Sequence, residues 1–158
     1  MRSFVPFVSL AAVLFLTQCV EHDPARRFAS DQISTNTSDA ATAAALISRY
    51  RVAHGLSPVS VDPRLTEAAT AQARTVAEAG TLSHGPLASR MAAFGISPPA
   101  AENLSAGSRT VDQVIARWTA SPGHNENLLL PQAQRIGFAR ADSPGLAYGR
   151  YWALVIAQ

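Results

Sequence analysis

The chain has 158 residues, of which 47% are hydrophobic and 15% are charged, and its net charge is +2. All 13 basic residues are arginines scattered among 11 acidic residues, so the clustered basic surface of nucleic-acid-binding proteins is absent. The single cysteine cannot form an internal disulfide, which excludes the disulfide-rich class of small secreted domains.

The first 19 residues predict a signal peptide. Arg2 precedes an almost wholly apolar run from Phe4 to Leu16, which is too short to cross a hydrocarbon layer of about 30 Å as a helix. Cys19 ends this leader and resembles the lipid-modified cysteine of a lipobox, with Gln18 where lipoboxes have a small residue. We therefore expect export, either with an acyl chain on Cys19 or as a released protein.

Residues 20–39 are polar and show no sustained periodicity, which predicts a disordered linker. The remaining residues, 40–158, have a length suited to one domain with one core. We expect this domain to be a monomer whose contact with a membrane is limited to the lipid anchor.

Two helices are predicted at the start of the domain. Asp39 is a candidate N-cap for the first helix, and Gly55 is expected to end it, with His54 as a C-terminal cap. A short strand follows at Val59 and Val61. The pair Asp62-Pro63 then begins a second helix, which ends at Gly80 and turns inward Leu65, Ala69, Ala73 and Val76.

A loop carries His84 into a short helix containing Leu87, Met91 and Phe94. Further along, Thr110 and Gln113 form a capping-box pattern for an amphipathic helix with Val111, Val114, Ile115 and Trp118 on one face. Ser121 is a candidate N-cap for a second short helix, with Pro122 in its first position and His124 in its first turn. The positive end of the helix dipole favours a neutral imidazole at His124.

The last third of the chain predicts the sheet. Arg135 to Ala141 forms one strand, a turn follows at residues 142–145, and Tyr148 to Ala157 forms a second strand. Both alternating sets of side chains in this last strand are apolar, so we expect helices to cover both faces of the sheet.

Four motifs together resemble the bacterial CAP/SCP domain, the superfamily of cysteine-rich secretory proteins, antigen 5 and plant pathogenesis-related proteins. They are Ser83-His84, Ala101-Glu102-Asn103-Leu104, the run from Trp118 to His124, and Arg135-Ile136-Gly137-Phe138. The resemblance implies an α+β fold, a three-layer α-β-α sandwich with a small antiparallel sheet. It also implies a cavity containing His84, Glu102 and His124, with Ser121 near the place of a second family acid that is missing here.

The resemblance leaves three interpretations of this cavity open. His84 and His124 hold a divalent cation such as Zn²⁺, with Glu102 as a further ligand. Alternatively, Glu102 holds the histidine tautomers in a polar network without turnover. In the third, Glu102 is the general base of a metal-assisted peptide hydrolase. We favour an exported, non-enzymatic module for a cation, a lipid-like molecule or a protein, and the composition suggests a bacterial envelope protein, either periplasmic, membrane-anchored or extracellular.

Overall fold

The computed structural model describes residues 32–158. The predicted signal peptide, Cys19 and most of the predicted linker lie outside this range. The elements in chain order are β1 (Ser34–Asn36), α1 (Ala40–Ala53), β2 (Ser60–Val61), α2 (Pro63–Ala79), α3 (Leu87–Ala93), β3 (Ala100–Ala106), α4 (Val111–Thr119), α5 (Pro122–Leu128), β4 (Arg135–Asp142) and β5 (Arg150–Ala157). No helix within these residues is both long and apolar enough to span a membrane.

The sheet has the order β1-β4-β5-β3, with antiparallel neighbours throughout. The two-residue strand β2 pairs in parallel with the start of β4, while β1 pairs with the other end of the same strand. The two longest strands, β4 and β5, therefore lie at the centre, and β3 forms an edge.

Both faces of the sheet are covered, as predicted. On β5, Trp152, Leu154 and Ile156 belong to the core beneath α1, α4 and α5. Tyr151, Ala153 and Val155 belong to a separate core beneath α2 and α3. This arrangement confirms the three-layer α-β-α sandwich.

The second helix lies unusually close to the sheet. A Cβ atom added to Gly137 in β4 would lie 1.9 Å from the main-chain carbonyl carbon of Leu65. Only glycine permits this contact between the backbones of β4 and α2. The predicted start of α2 is confirmed, because the Asp62 side chain accepts a hydrogen bond from Leu65 N at 2.9 Å.

A buried arginine connects α1 to the segment between α5 and β4. Arg51 is fully buried and donates to the carbonyl oxygens of Ser57, Leu128, Leu130 and Ala133 at 2.8–2.9 Å. No carboxylate of the described residues pairs with it. Four carbonyl dipoles thus take the place of a counter-ion.

The linker prediction is wrong for its last residues. Residues 34–36 form β1, and Ile33 is buried in the core. Asp39 occupies the N-cap position of α1, but its side chain makes no capping hydrogen bond and instead accepts one from Arg140. The carboxylate is thereby used to attach α1 to β4.

Three further predictions need correction. The sheet is not confined to the last third of the chain, because β1 and β3 also belong to it, as does β2, at the place of the short strand predicted around Val59 and Val61. The last strand begins at Arg150, and Tyr148 lies in the preceding turn with 55% of its surface exposed. At α4, Thr110 caps as predicted, but Gln113 accepts a hydrogen bond from the backbone of Arg109 rather than from Thr110.

Candidate functional site

Glu102 lies near the start of β3, and its side chain is completely buried. Its Oε1 atom accepts a hydrogen bond from His84 Nδ1 at 2.8 Å. Its Oε2 atom lies 2.8 Å from Arg90 Nη2, a short ion pair without hydrogen-bond geometry. The structure thus brings together two of the predicted site residues and adds an arginine that sequence reasoning missed.

His84 lies in the loop before α3, and half of its side-chain surface is exposed. The loop is held from two directions, since Gln72 of α2 donates to the Ser83 carbonyl at 2.7 Å and Arg90 donates to the His84 carbonyl at 3.1 Å. Because an ionised carboxylate is only an acceptor, the contact with Glu102 places a proton on Nδ1 of His84. The Nε2 atom is left without a partner among the described residues.

His124 is the third residue of α5, as predicted, and lies half-buried with its ring centroid 6.5 Å from that of Trp118. Burial lowers the pKa of His124 from 6.5, and repulsion from Arg117, and from His84 when its ring is protonated, lowers it further. The sequence predicts the same direction from the helix N-terminus. In the folded protein, burial is the largest cause of the lowered His124 pKa.

Ser121 occupies the N-cap position of α5 but does not cap it with its side chain. Instead its hydroxyl lies 2.9 Å from His124 Nδ1. This is the spacing of a nucleophile and its base, yet no third group among residues 32–158 hydrogen-bonds to the other ring nitrogen and orients the imidazole. The contact therefore fixes the ring orientation without completing a catalytic triad.

Two asparagines determine how α5 lies against β3. Asn103 donates from Nδ2 to the His124 carbonyl at 2.9 Å, and Asn127 donates to Asn103 Oδ1 at 2.9 Å and to the Glu102 carbonyl at 3.1 Å. Sequence reasoning did not assign these roles, although Asn103 belongs to one of the quoted motifs. Together they hold the backbone of His124 in place relative to Glu102.

The edge of β3 that does not pair with β5 is covered by side chains from α4 and α5. Besides Asn127, Trp118 donates to the Leu104 carbonyl at 3.2 Å and Arg117 donates to the Ala106 carbonyl at 3.3 Å. Side chains that occupy the carbonyls of an edge strand prevent them from pairing with another chain.

The geometry also determines which atoms could hold a metal. No group of three or more His, Cys, Asp or Glu side chains in residues 32–158 is arranged to hold a metal ion. The two histidines both use Nδ1 within the protein, which leaves Nε2 of each available. Glu102 is the outer partner of an imidazole, an arrangement common behind metal-binding histidines.

Of two surface cavities, one adjoins the predicted site residues and the other does not. A pocket of about 170 Å³ adjoins His84 and Arg90. A larger cleft of about 580 Å³ lies beyond the other end of β3, between residues 107–109 and 146–150, and none of the predicted site residues lines it.

Comparison with known proteins identifies the family. Residues 44–156 match the CAP family, described as the cysteine-rich secretory protein family. The Bacillus subtilis (strain 168) protein YkwD is 31% identical over 104 residues, which cover 62% of this chain and 40% of YkwD. The chain thus spans less than half the length of this relative.

Solved structures show the same fold. An outer surface protein of Borrelia burgdorferi superposes with a TM-score of 0.69 at 20% identity, covering 78% of this chain and 95% of that one. An extracellular SCP-domain protein of Bacillus anthracis gives 0.62 at 22% identity, covering 74% of this chain and 39% of that one. A cysteine-rich secretory protein of Staphylococcus aureus gives 0.60 at 16% identity, with 73% and 36% covered. With the family match over residues 44–156, the chain belongs to the CAP, or cysteine-rich secretory protein, family.

Proposed function

We propose that this CAP protein is an exported, non-enzymatic binding module whose site is the cavity around His84, Glu102, Ser121 and His124. The observation that carries the proposal is the state of Glu102, which is completely buried and already held by His84 and Arg90. A carboxylate engaged in this way organises a binding site. The solved relatives named as outer surface and extracellular proteins support export, as does the predicted leader.

The same observation counts against the metal-assisted hydrolase. A general base must come within hydrogen-bond reach of the water whose proton it abstracts. The Glu102 side chain has no exposed surface, and the Arg90 guanidinium lies against its second oxygen. Neither feature suits a base that must exchange protons with solvent.

His84 and His124 would supply the protein ligands of a divalent cation in this proposal. His84 donates its Nδ1 proton to Glu102, which directs the Nε2 lone pair outward, and the same holds for His124 when its Nδ1 donates to Ser121. Glu102 would support the site from behind rather than contact the cation. Such an ion would supply open coordination positions for a further ligand, whereas the nearby Arg90 and Arg117 charges weaken its binding.

Calorimetric titration of Zn²⁺ into the purified protein tests this cation site. We expect one ion per chain, with binding lost in His84→Ala and in His124→Ala. His54→Ala is the matched control, because His54 is an exposed C-cap whose Nδ1 contacts the Tyr50 carbonyl. Circular dichroism checks that each variant is folded. No binding by the wild type, or full binding by His84→Ala, would overturn the cation site.

Export is tested separately. Secretion into the envelope or medium of a bacterial host should require residues 1–19. Labelling with a radioactive fatty acid should be lost in Cys19→Ser if the protein is anchored, whereas an unlabelled wild type would show that it is released. Retention of the intact chain in the cytoplasm would contradict export.

A further inference from the structure

The larger cleft lies beyond the end of β3 that is farther from Glu102. Its volume of about 580 Å³ falls within the roughly 300–1,000 Å³ of small-molecule sites. One wall is the loop of residues 107–109, which follows β3, and the other is formed by residues 146–150, which lead into β5. Neither His84 nor His124 lines it, so a ligand in this cleft would be independent of the cation site.

Hydrogen bonds connect the two walls, so the cleft is already formed without a ligand. Arg150 donates from Nη1 to the Arg109 carbonyl, and its own carbonyl accepts from Gly107 N at 2.9 Å. In addition, Trp152 Nε1 donates to the Ser108 carbonyl at 2.8 Å. A ligand does not have to order this loop, which lowers the entropic cost of binding.

Tyr148 supplies an aromatic ring to the cleft. The ring lies edge-on to that of Tyr151, with centroids 6.0 Å apart and planes at 89°. A Cβ atom added to Gly107 would lie 3.6 Å from Tyr148 Cδ1, so one edge of the ring lies close to the opposite wall. Although the ring has these two neighbours, 55% of the residue's surface is exposed. Tyr148 therefore offers a flat surface on which another ring can stack.

The charges of the lining favour an anion. It contains two arginines, Arg109 and Arg150, and no acidic residue. Arg150 Nε forms an ion pair with Asp142 at 2.9 Å, and 37% of the Arg150 side chain is still exposed. Arg109 is exposed and forms no ion pair with any of residues 32–158. The lining thus holds one positive charge without a counter-ion, on a residue that a ligand can reach.

One uncompensated charge matches a monoanion better than a dianion. A carboxylate carries one charge, and its two oxygens fit the planar fork of donors on a guanidinium group. A phosphate monoester carries nearly two charges, and the second would be repelled by Asp142, which lies against Arg150. The charge balance therefore favours a carboxylate, and Tyr148 favours a ring attached to it.

We infer that this cleft binds a monocarboxylate carried on a six-membered ring, with the ring against Tyr148 and the carboxylate at Arg109 and Arg150. Aromatic acids and sugar acids share this chemistry, and separate probes distinguish them. The inference goes beyond the proposed cation site, because the two sites have no residue in common.

The test is an NMR titration of the ¹⁵N-labelled protein with benzoate and with glucuronate. At least one of them should cause saturable shifts in residues 107–109 and 146–150, with a Kd of roughly 1–10 mM, typical of so small a ligand. The tighter of the two shows whether the preferred ring is aromatic or a sugar. Benzamide and glucose are the neutral counterparts and should bind about tenfold more weakly. Acetate lacks a ring and should also bind about tenfold more weakly.

Variants locate the binding, with circular dichroism as the check on folding. Arg109→Gln removes the uncompensated charge at an exposed position and should weaken binding about tenfold. Arg49→Gln is the matched control, since Arg49 is also exposed and without an ion pair in the described part of the chain but does not line the cleft. Tyr148→Ala removes the ring and should also weaken binding about tenfold.

Four outcomes would overturn the inference: no saturable shifts with either acid, neutral counterparts that bind as tightly as the acids, undiminished binding in Arg109→Gln, or inorganic phosphate that binds more tightly than both acids. Zn²⁺ binding should be unaffected by Arg109→Gln. Failure of the acids alone therefore overturns this inference, whereas failure of Zn²⁺ alone overturns the cation site.

Discussion

The two faces of the sheet are held by opposite means. On one face the aromatic rings of Trp118, Phe138 and Trp152 fill the space to the helices, with ring centroids 6.1 Å and 5.5 Å from that of Phe138. On the other face α2 presents small side chains, with Ala68, Ala69, Ala73 and Ala77 buried. Large side chains fill the aromatic interface, whereas the alanine interface depends on the close approach of two backbones. Stability should therefore fall when atoms are deleted from the aromatic interface and when atoms are added to the alanine interface.

Adding one carbon at the close approach should have the largest effect. Gly137→Ala places a Cβ where the backbone of α2 lies, and we expect a loss of about 4 kcal/mol or more in unfolding free energy, or failure to fold. Urea unfolding followed by circular dichroism measures this. Gly123→Ala is the control, because a Cβ there meets nothing within 4 Å and replaces glycine inside a helix. Similar stability of the two variants would contradict the close packing of α2.

Removing a ring from the aromatic face should come next. Trp152 is fully buried, and its Nε1 donates to the Ser108 carbonyl at 2.8 Å. Trp152→Ala should lower the unfolding free energy by about 3–5 kcal/mol, more than substitutions at the proposed site. Tyr148→Ala removes an exposed ring and should change it by less than about 0.5 kcal/mol. A wild-type unfolding midpoint for Trp152→Ala would show that β5 is not the central strand.

Enlarging an alanine beneath α2 tests whether that interface is closely packed. Ala73→Leu adds three carbons beneath α2 and should cost about 1–3 kcal/mol through overpacking. Ala71→Leu makes the same change at an exposed position of the same helix and should be nearly neutral. If Ala73→Leu also proved neutral in urea unfolding, the α2 interface would be looser than the structure shows.

The smallest predicted effect is a dependence of stability on pH caused by His124, which lies at the edge of the aromatic face. Because the pKa of His124 is lowered in the folded state, the unfolded chain takes up this proton first as the pH falls through about 6.5. The folded protein should therefore lose stability below that pH and keep it above. His124→Gln should make the unfolding free energy less dependent on pH below about 6.5. An unchanged slope would mean that another group causes the dependence.

The helices were more predictable from sequence than the strands. Asp62-Pro63 and Thr110 are local signals, and both cap helices as predicted. The segment Ala100–Ala106 gave no comparable signal because alanine, glutamate and asparagine are uncommon in strands. Its strand conformation depends on pairing with β5, about 50 residues later in the chain, which no local pattern reveals.

The contacts of the candidate site also depend on tertiary packing that local sequence patterns do not reveal. Family resemblance indicated His84, Glu102 and His124, and the structure places His84 on Glu102. The partner of Glu102's second oxygen, Arg90, could not be predicted, because nothing distinguishes it from the other arginines before α3 is folded against β3. Likewise, the sequence predicted Ser121 as an N-cap, whereas in the folded protein its hydroxyl lies against His124.

Arg51 has a consequence for the order in which the protein opens. Its guanidinium joins the end of α1 to carbonyls 77 to 82 residues away, in a segment that is neither helix nor strand after Leu128. That segment cannot detach without leaving an arginine buried and unsatisfied, so it should open only together with α1. Amide hydrogen exchange at Ala133 and Gln134, which donate to the Leu130 and Ala157 carbonyls, should therefore be as slow as in the central strands, unlike that of an ordinary surface loop.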